Sequence, residues 1–235
     1  MNEFDKAKAI INEIISNIPQ IDKDDPRREL KIFTYIYCRL GRLLEYDHFA
    51  ADLMDVPKSG LNRERANEDI IEPACDIRGL ARGIAICVGF SEILKATLEK
   101  INIKSNTVDG SKHKTLPSGH VWNQVCLDGI WYNCDLTCDR NSIKDGLKCQ
   151  HFLKNDAEFI NHKDYGVIKN KREICTKSIS DEEQERLIND AIKIINMQEQ
   201  EQKQIEVHKE VENQSFIIKL KKFIEEKLYQ EKRSR

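Results

Sequence analysis

The sequence predicts an α+β fold, with helices at both ends and a helix followed by an antiparallel hairpin between them. Three observations carry that reading. The first 75 residues hold two amphipathic helical stripes. The middle holds two apolar runs joined by Asp128-Gly129, a strong short hairpin signal. Beyond Gly166 the chain has neither glycine nor proline, so nothing there punctuates a helix.

Along the chain, Phe4, Ala7, Ile11, Ile14 and Ile18 recur at helical spacing, and Pro19 ends the run. A second helix is expected from Asp25, which can cap it, and Pro26, which suits a first turn. Leu30, Phe33, Ile36 or Tyr37, Leu40 and Leu44 form its apolar stripe. Residues 47–75 are mixed, broken by Pro57, Gly60 and Pro73. After Cys87, the residues Phe90, Leu94, Leu98 and Ile101 share one face, predicting a helix over 87–100. Ile103–Val108 reads as a strand, and His120–Leu127 with Ile130–Asp135 as the hairpin. Ser180 and Glu183 then make a capping box, continued by Leu187, Ala191, Ile192 and Ile195. A polar interval, Gln198–Gln204, precedes a further stripe through Ile217, Leu220, Ile224 and Leu228. This tail reads either as a partner-binding coiled segment or as a pair of helices packing on the core or on each other. Three parts result: a helical N-terminal part over 1–75, a core over 76–165 and a helical C-terminal extension over 166–235.

A chain of 235 residues with 40% apolar side chains suits one domain with an extension. Its 38 basic and 40 acidic side chains nearly cancel, which argues against a surface built to neutralise nucleic-acid phosphates. No segment approaches the roughly 18 apolar residues of a membrane span, and the N-terminus does not read as a secretory signal. Eight cysteines without a signal point to free thiols in a reducing, cytoplasmic compartment, with leaderless export left open.

The hairpin gives a geometric test. A two-residue turn at Asp128-Gly129 pairs Leu127 with Ile130, so the numbers of opposed residues have a constant sum. His120 then faces Thr137 and Trp122 faces Asp135. Side chains alternate along a strand, which places His120, Trp122 and Gln124 on the same face as Trp131, Asn133 and Asp135. His120 and Asp135 become diagonal neighbours, roughly 7–8 Å apart at the backbone. A carboxylate there accepts one imidazole N–H and leaves the other nitrogen free as a base.

Cys87 is the matching nucleophile candidate. It lies in GIAICVGFSEIL, where small residues lead into the start of a helix. Free N–H groups and the helix dipole at such a start stabilise a thiolate and can hold an oxyanion. On position alone Cys87 reads equally as a small buried residue at a tight helix–strand contact.

The strings GIAICVGFSEILKATLEKINIKSNTVDG and GHVWNQVCLDGIWYNCDLTCD, followed by HFLKNDAEFINH, resemble the transglutaminase-like superfamily. The resemblance covers about residues 80–162. It rests on a Cys opening a helix through a Gly-aromatic-small run and on the strand end at Val108-Gly110. It rests also on an H-x-W-N-x-V string, an x-D-G-x-W-Y hairpin and an F-L-x-N-D-x-x-F stretch. The resemblance implies a papain/transglutaminase-like core, with the Cys-bearing helix packed on an antiparallel sheet. It implies a triad of Cys87 as nucleophile, His120 as base and acid, and Asp135 as orienting residue. Two positions depart from the pattern. Cys138 stands where many relatives have tryptophan, and Ala85-Ile86-Cys87 replaces the usual G-x-C.

The implied chemistry is acyl transfer at a protein or peptide amide through a Cys87 thioester, with no cofactor. Hydrolysis by a cysteine peptidase is the first expectation; glutamine deamidation or transglutamination is the alternative. A non-catalytic binding or scaffold module with a helical tail is the rival class. Trp122 and Trp131 share the active face, as packing or as a substrate-binding surface. Cys126, Cys134, Cys138, Cys149 and His151 match no standard zinc spacing, so no metal site is expected. His113 and His162 read as surface residues, and Asn123 as structural.

Overall fold

The structure, a computed structural model, describes residues 1–55, 67–111, 119–159, 161–164 and 172–233. His113, Pro57 and Gly60 lie outside the described residues. The chain forms two compact units, Met1–Ile192 and Lys193–Arg235.

In the first unit, α1 spans Glu3–Ser16 and buries the predicted stripe at Ala7, Ile11 and Ile14. The next helix, α2, spans Arg28–Leu43 and so begins later than the Asp25-Pro26 signal. Asp25 instead caps the turn before it, its Oδ1 accepting from Arg27 N at 2.8 Å. The stretch with no clear pattern resolves into short pieces. They are β1 (Glu45–Tyr46), α3 (His48–Asp55), a π-turn at Asn67–Ile71, α4 (Glu72–Cys75), α5 (Arg78–Arg82) and β2 (Ile84–Ala85). The strands β1 and β2 pair in parallel, Tyr46 opposite Ala85.

The helix α6 spans Cys87–Glu99, close to the predicted bounds. Phe90, Ile93, Leu94 and Leu98 are fully buried on it. Each such side chain contributes about 1.5–3 kcal/mol of hydrophobic stabilisation. The helix packs against β3 (Ser105–Ser111) and β4 (Gly119–Leu127). With β5 (Ile130–Cys134) and β6 (Lys163–Asp164) these form an antiparallel sheet of order β5-β4-β3-β6. The α+β class is therefore present as expected, with the cysteine-bearing helix against an antiparallel sheet.

The hairpin register is the predicted one: Leu127 opposes Ile130, Gln124 opposes Asn133 and Asn123 opposes Cys134. Asp128 and Gly129 both adopt positive φ, 50° and 79°, as a two-residue turn matched to strand twist requires. Glu29 of α2 holds that turn by accepting from Asp128 N at 2.7 Å. After Cys134 the chain leaves the sheet for α7, Leu136–Asp145. The expected pairing of His120 with Thr137 is consequently absent, because Thr137 is already in the helix. An aromatic cluster of Phe33, Tyr37 and Phe152, with ring centroids 5.1–5.8 Å apart, fills the space between α2 and the segment after α7.

The last helix, α8, spans Asp181–Arg233 without a break. It starts as the capping box predicts, Ser180 Oγ accepting from Glu183 N at 3.2 Å. The expected pair of helices is one helix instead. The interval Gln198–Gln204 is made of Gln, Glu and Lys, all good helix formers, so polarity does not interrupt the backbone there. Among the described residues no helix is long and apolar enough to cross a membrane.

Candidate active site

Cys87 is the first residue of α6. The preceding Ile86 anchors the entry by donating its N–H to Ala74 O at 3.0 Å, and no side chain caps the helix. The first-turn amides are thus not taken up by a capping side chain, which is the arrangement that favours an anion. Gly89 makes this entry fit, since a Cβ there would lie 2.1 Å from the backbone oxygen of Ala74. Cys87 is left 8% exposed and so mostly covered.

His120 is the second residue of β4, opposite Gly110 of β3. Asp135 follows the last residue of β5 and is the N-cap of α7, rather than the strand residue the sequence suggested. Its Oδ1 accepts from Cys138 N at 3.1 Å. Its Oδ2 lies 2.7 Å from His120 Nε2. The contact between His120 and Asp135 is therefore made through a helix cap rather than between two strand residues.

Burial alone pushes the fully covered Asp135 carboxyl up. The bonds from His120 and His162, with the charge on His120, hold it well below the usual carboxylate range. An ionised carboxylate only accepts, so both histidines donate through Nε2. Burial opposes a charge on His120 as well. Its side-chain hydrogen bonds with Asp135, Cys138 and Cys87 outweigh burial and push it up to about 12. With Nε2 committed to Asp135, Nδ1 is the nitrogen left for the Cys87 thiol. The structure thus brings Cys87, His120 and Asp135 together. The three sit on a helix start, a neighbouring strand and a helix cap.

No protein-family model and no curated protein matches the chain. Among solved structures it is similar to one described as a TGase, with a TM-score of 0.41 and 20% identity over 57% of this chain. It is also similar to a "putative cysteine protease" from Cytophaga hutchinsonii, with a TM-score of 0.33 and 15% identity over 56% of this chain. The matched parts are 31% and 37% of those two chains, so this chain spans about a third of each.

Three further residues border the site, none of them assigned to it from the sequence. His162, expected at the surface, has a side chain only 1% exposed, and its Nε2 lies 2.9 Å from Asp135 Oδ2. It is covered because its ring packs on Phe159, Trp122 and His120, with centroids at 4.0, 5.0 and 5.4 Å. Cys138 reaches the His120 ring from the first turn of α7. Tyr46, beside Ala85 on β1, feels the Cys87 thiol: burial chiefly, and then Cys87, pushes its phenol up. Arg140 sits over the Tyr46 ring at 5.2 Å.

Trp122 is 3% exposed and packs with Val108 and Phe159. Gly110 makes room for it, since a Cβ there would lie 2.5 Å from the indole ring. Trp131 pairs with Cys126 at the turn end of the hairpin. Six residues of strand separate Cys126 from His120, about 20 Å, so Trp131 stands away from the triad. Asn123, on the opposite face from His120, donates to Ser91 O at 3.0 Å and pins β4 to α6, as a structural residue does.

A second histidine–carboxylate pair lies close by. Asp139 Oδ1 is 3.2 Å from His151 Nδ1, and its Oδ2 accepts from Tyr37 Oη at 3.0 Å. A polar cleft lined by Lys148, His151, Lys154, Glu158 and Asp181 opens beside His151 and does not include the triad. None of the eight cysteines forms a disulfide. Burial raises the thiols of Cys38, Cys75 and Cys175, to about 12, 11 and 12. It raises Cys126, Cys134 and Cys149 as well.

Proposed function

We propose that the protein is a thiol-dependent acyl-transfer enzyme acting on protein or peptide amides, in the first instance a cysteine peptidase. The observation that carries this reading is the position of one imidazole. His120 is bound to a buried carboxylate through one nitrogen, and the Cys87 thiol, at an uncapped helix start, is among the side chains that raise the His120 pKa.

In the proposed cycle His120 carries the proton of Cys87, giving a thiolate–imidazolium pair. The thiolate attacks the amide carbonyl carbon, and the carbonyl electron pair moves onto oxygen. The Cys87 backbone N–H at the start of α6 is one donor for that oxyanion. The Tyr46 hydroxyl, on the strand paired beside Ala85, is proposed as the second. Collapse expels the amine, which takes the proton from His120 and leaves a thioester. Water then gives its proton to His120 and its hydroxyl to the acyl carbon, and the proton returns to sulfur. An amine in place of water gives cross-linking, and a glutamine side chain as the acyl donor gives deamidation.

Mass spectrometry of denatured proteins and peptides incubated with the enzyme separates these outcomes. Backbone cleavage that disappears in Cys87→Ala supports the peptidase reading. Conversion of glutamine to glutamate, or incorporation of an added amine, moves the assignment to the alternative. Turnover that survives in Cys87→Ala removes the acyl-enzyme proposal altogether.

A further inference from the structure

Around the His120 ring a second constellation overlaps the triad. His120, Asp135, Cys138 and His162 each present one nitrogen, oxygen or sulfur atom, and the four atoms lie within 4.8 Å of one another. We propose that this cluster is a closed site for one zinc-class divalent ion, and that the bound ion turns Cys87 off by holding Nε2 of His120, which leaves the ring proton on Nδ1 and no lone pair to act as base for the thiol.

The donor set decides the class of ion. Two imidazoles, a thiol and a carboxylate suit four-coordinate zinc, whereas calcium and magnesium favour all-oxygen sites. A thiolate and a carboxylate cancel the charge of a divalent ion, so the occupied centre is neutral, as a largely buried pocket requires. Zinc–nitrogen and zinc–oxygen bonds of about 2.0–2.1 Å imply edges of roughly 3.3 Å in a tetrahedron. The present nitrogen–oxygen contacts are 2.7 Å from His120 and 2.9 Å from His162. Each opens by about half an ångström on binding, a shift within small side-chain rotations.

The fold brings the ligands in from separate stretches, which holds them near one point without an ion. His120 comes from β4, Asp135 and Cys138 from the start of α7, and His162 from the residue before β6. The bond from Cys138 N to Asp135 Oδ1 locks two of them together. On binding, the Cys138 thiol proton passes to solvent, and each ligating ring binds as a neutral imidazole with its proton on the nitrogen away from the ion. All four positions are then filled by protein, leaving none open for water or substrate, so the ion is an inhibitor rather than a catalyst. The inhibitory consequence rests on the acyl-transfer reading; the binding does not.

The test uses the full chain with Zn²⁺ alone followed by calorimetry, and Co²⁺ followed by visible absorption. The expected result is one ion per chain and a tetrahedral Co²⁺ spectrum with a thiolate charge-transfer band. Cys138→Ser and His162→Gln should each weaken binding by at least about 100-fold, the upper end of what even an outer partner of a metal site costs. Cys87→Ser should leave binding unchanged. Zn²⁺ should slow alkylation of Cys87 in the wild type and not in Cys138→Ser. Binding indifferent to Cys138→Ser, or a Co²⁺ spectrum without the thiolate band, overturns the site, and the wild-type spectrum decides this even if His162→Gln fails to fold. Binding as described with unslowed alkylation overturns the switch. Absence of acyl-transfer turnover, by contrast, removes the catalytic reading and leaves the ion site standing.

Discussion

Nε2 of His162 stands 2.9 Å from Oδ2 of Asp135, the same oxygen that lies 2.7 Å from His120. One carboxylate oxygen therefore carries two imidazoles, while the other caps α7 through Cys138 N. A carboxylate held by three hydrogen bonds on its two oxygens has little freedom to rotate, and the ring it orients inherits that rigidity.

His162 is accordingly a positioning residue. A hydrogen bond to a charged group is worth about 1.5–3 kcal/mol, so His162→Ala should lower kcat by roughly 10- to 100-fold. The KM should change little. His162→Gln, which keeps a donor of similar reach, should recover part of the loss. Steady-state kinetics on whichever substrate the enzyme turns over provides the check. Equal losses in both variants, with KM rising in step, would assign His162 to packing alone.

Replacing the carboxylate is expected to be more severe. Asp135→Asn removes the charge that stabilises the imidazolium and allows the wrong tautomer. Carboxylate-to-amide changes behind a catalytic imidazole cost on the order of 10⁴-fold in kcat. The cap on α7 also weakens, because an amide oxygen accepts from Cys138 N without a charge. Kinetics and a melting curve on the same variant separate the two effects.

Stability should depend on pH in a definite direction. Asp135 has a folded pKa below its ordinary 3.8, so its contribution is complete above that value and is lost as pH falls below it. His120 behaves oppositely. Its folded pKa of about 12 lies above its ordinary 6.5, so its contribution is complete below 6.5 and declines as pH rises from there. Thermal melts should thus show greatest stability between those two ordinary values. The alkaline slope should flatten in His120→Asn and the acid slope in Asp135→Asn.

Gly89 offers a test of how the cysteine helix is seated. A Cβ at that position would meet Ala74 O at 2.1 Å. Backbone cannot give way as a flexible side chain can. Gly89→Ala is expected to cost about 1–3 kcal/mol in denaturant unfolding, despite the better helix propensity of alanine. A neutral or stabilising result would mean that α6 enters the fold differently.

Much of this site was legible because its parts obey short-range rules. The Asp128-Gly129 turn fixes the register, and period two then puts His120 and Asp135 on one face. Phe90, Leu94 and Leu98 mark the helix that Cys87 opens. What could not be read depends on contacts between distant residues. His162 meets Asp135 across 27 positions, and no periodicity points one at the other. Asp135 reads as the end of an apolar strand run, and only the turn into α7 makes it a cap. Two-residue strands such as β6 leave too little pattern to detect. Gln198–Gln204 looks like a break by polarity, although its residues favour the helix that runs through it.

The most direct test of the triad is alkylation by iodoacetamide at pH 6, mapped by mass spectrometry over all eight cysteines. A thiolate held by His120 should react at least about tenfold faster than an ordinary thiol, which is under about 1% ionised at that pH. The account predicts that Cys87 is modified first and that His120→Asn abolishes its lead. Modification of Cys87 no faster than of Cys75 or Cys126, or a lead that survives His120→Asn, would contradict it.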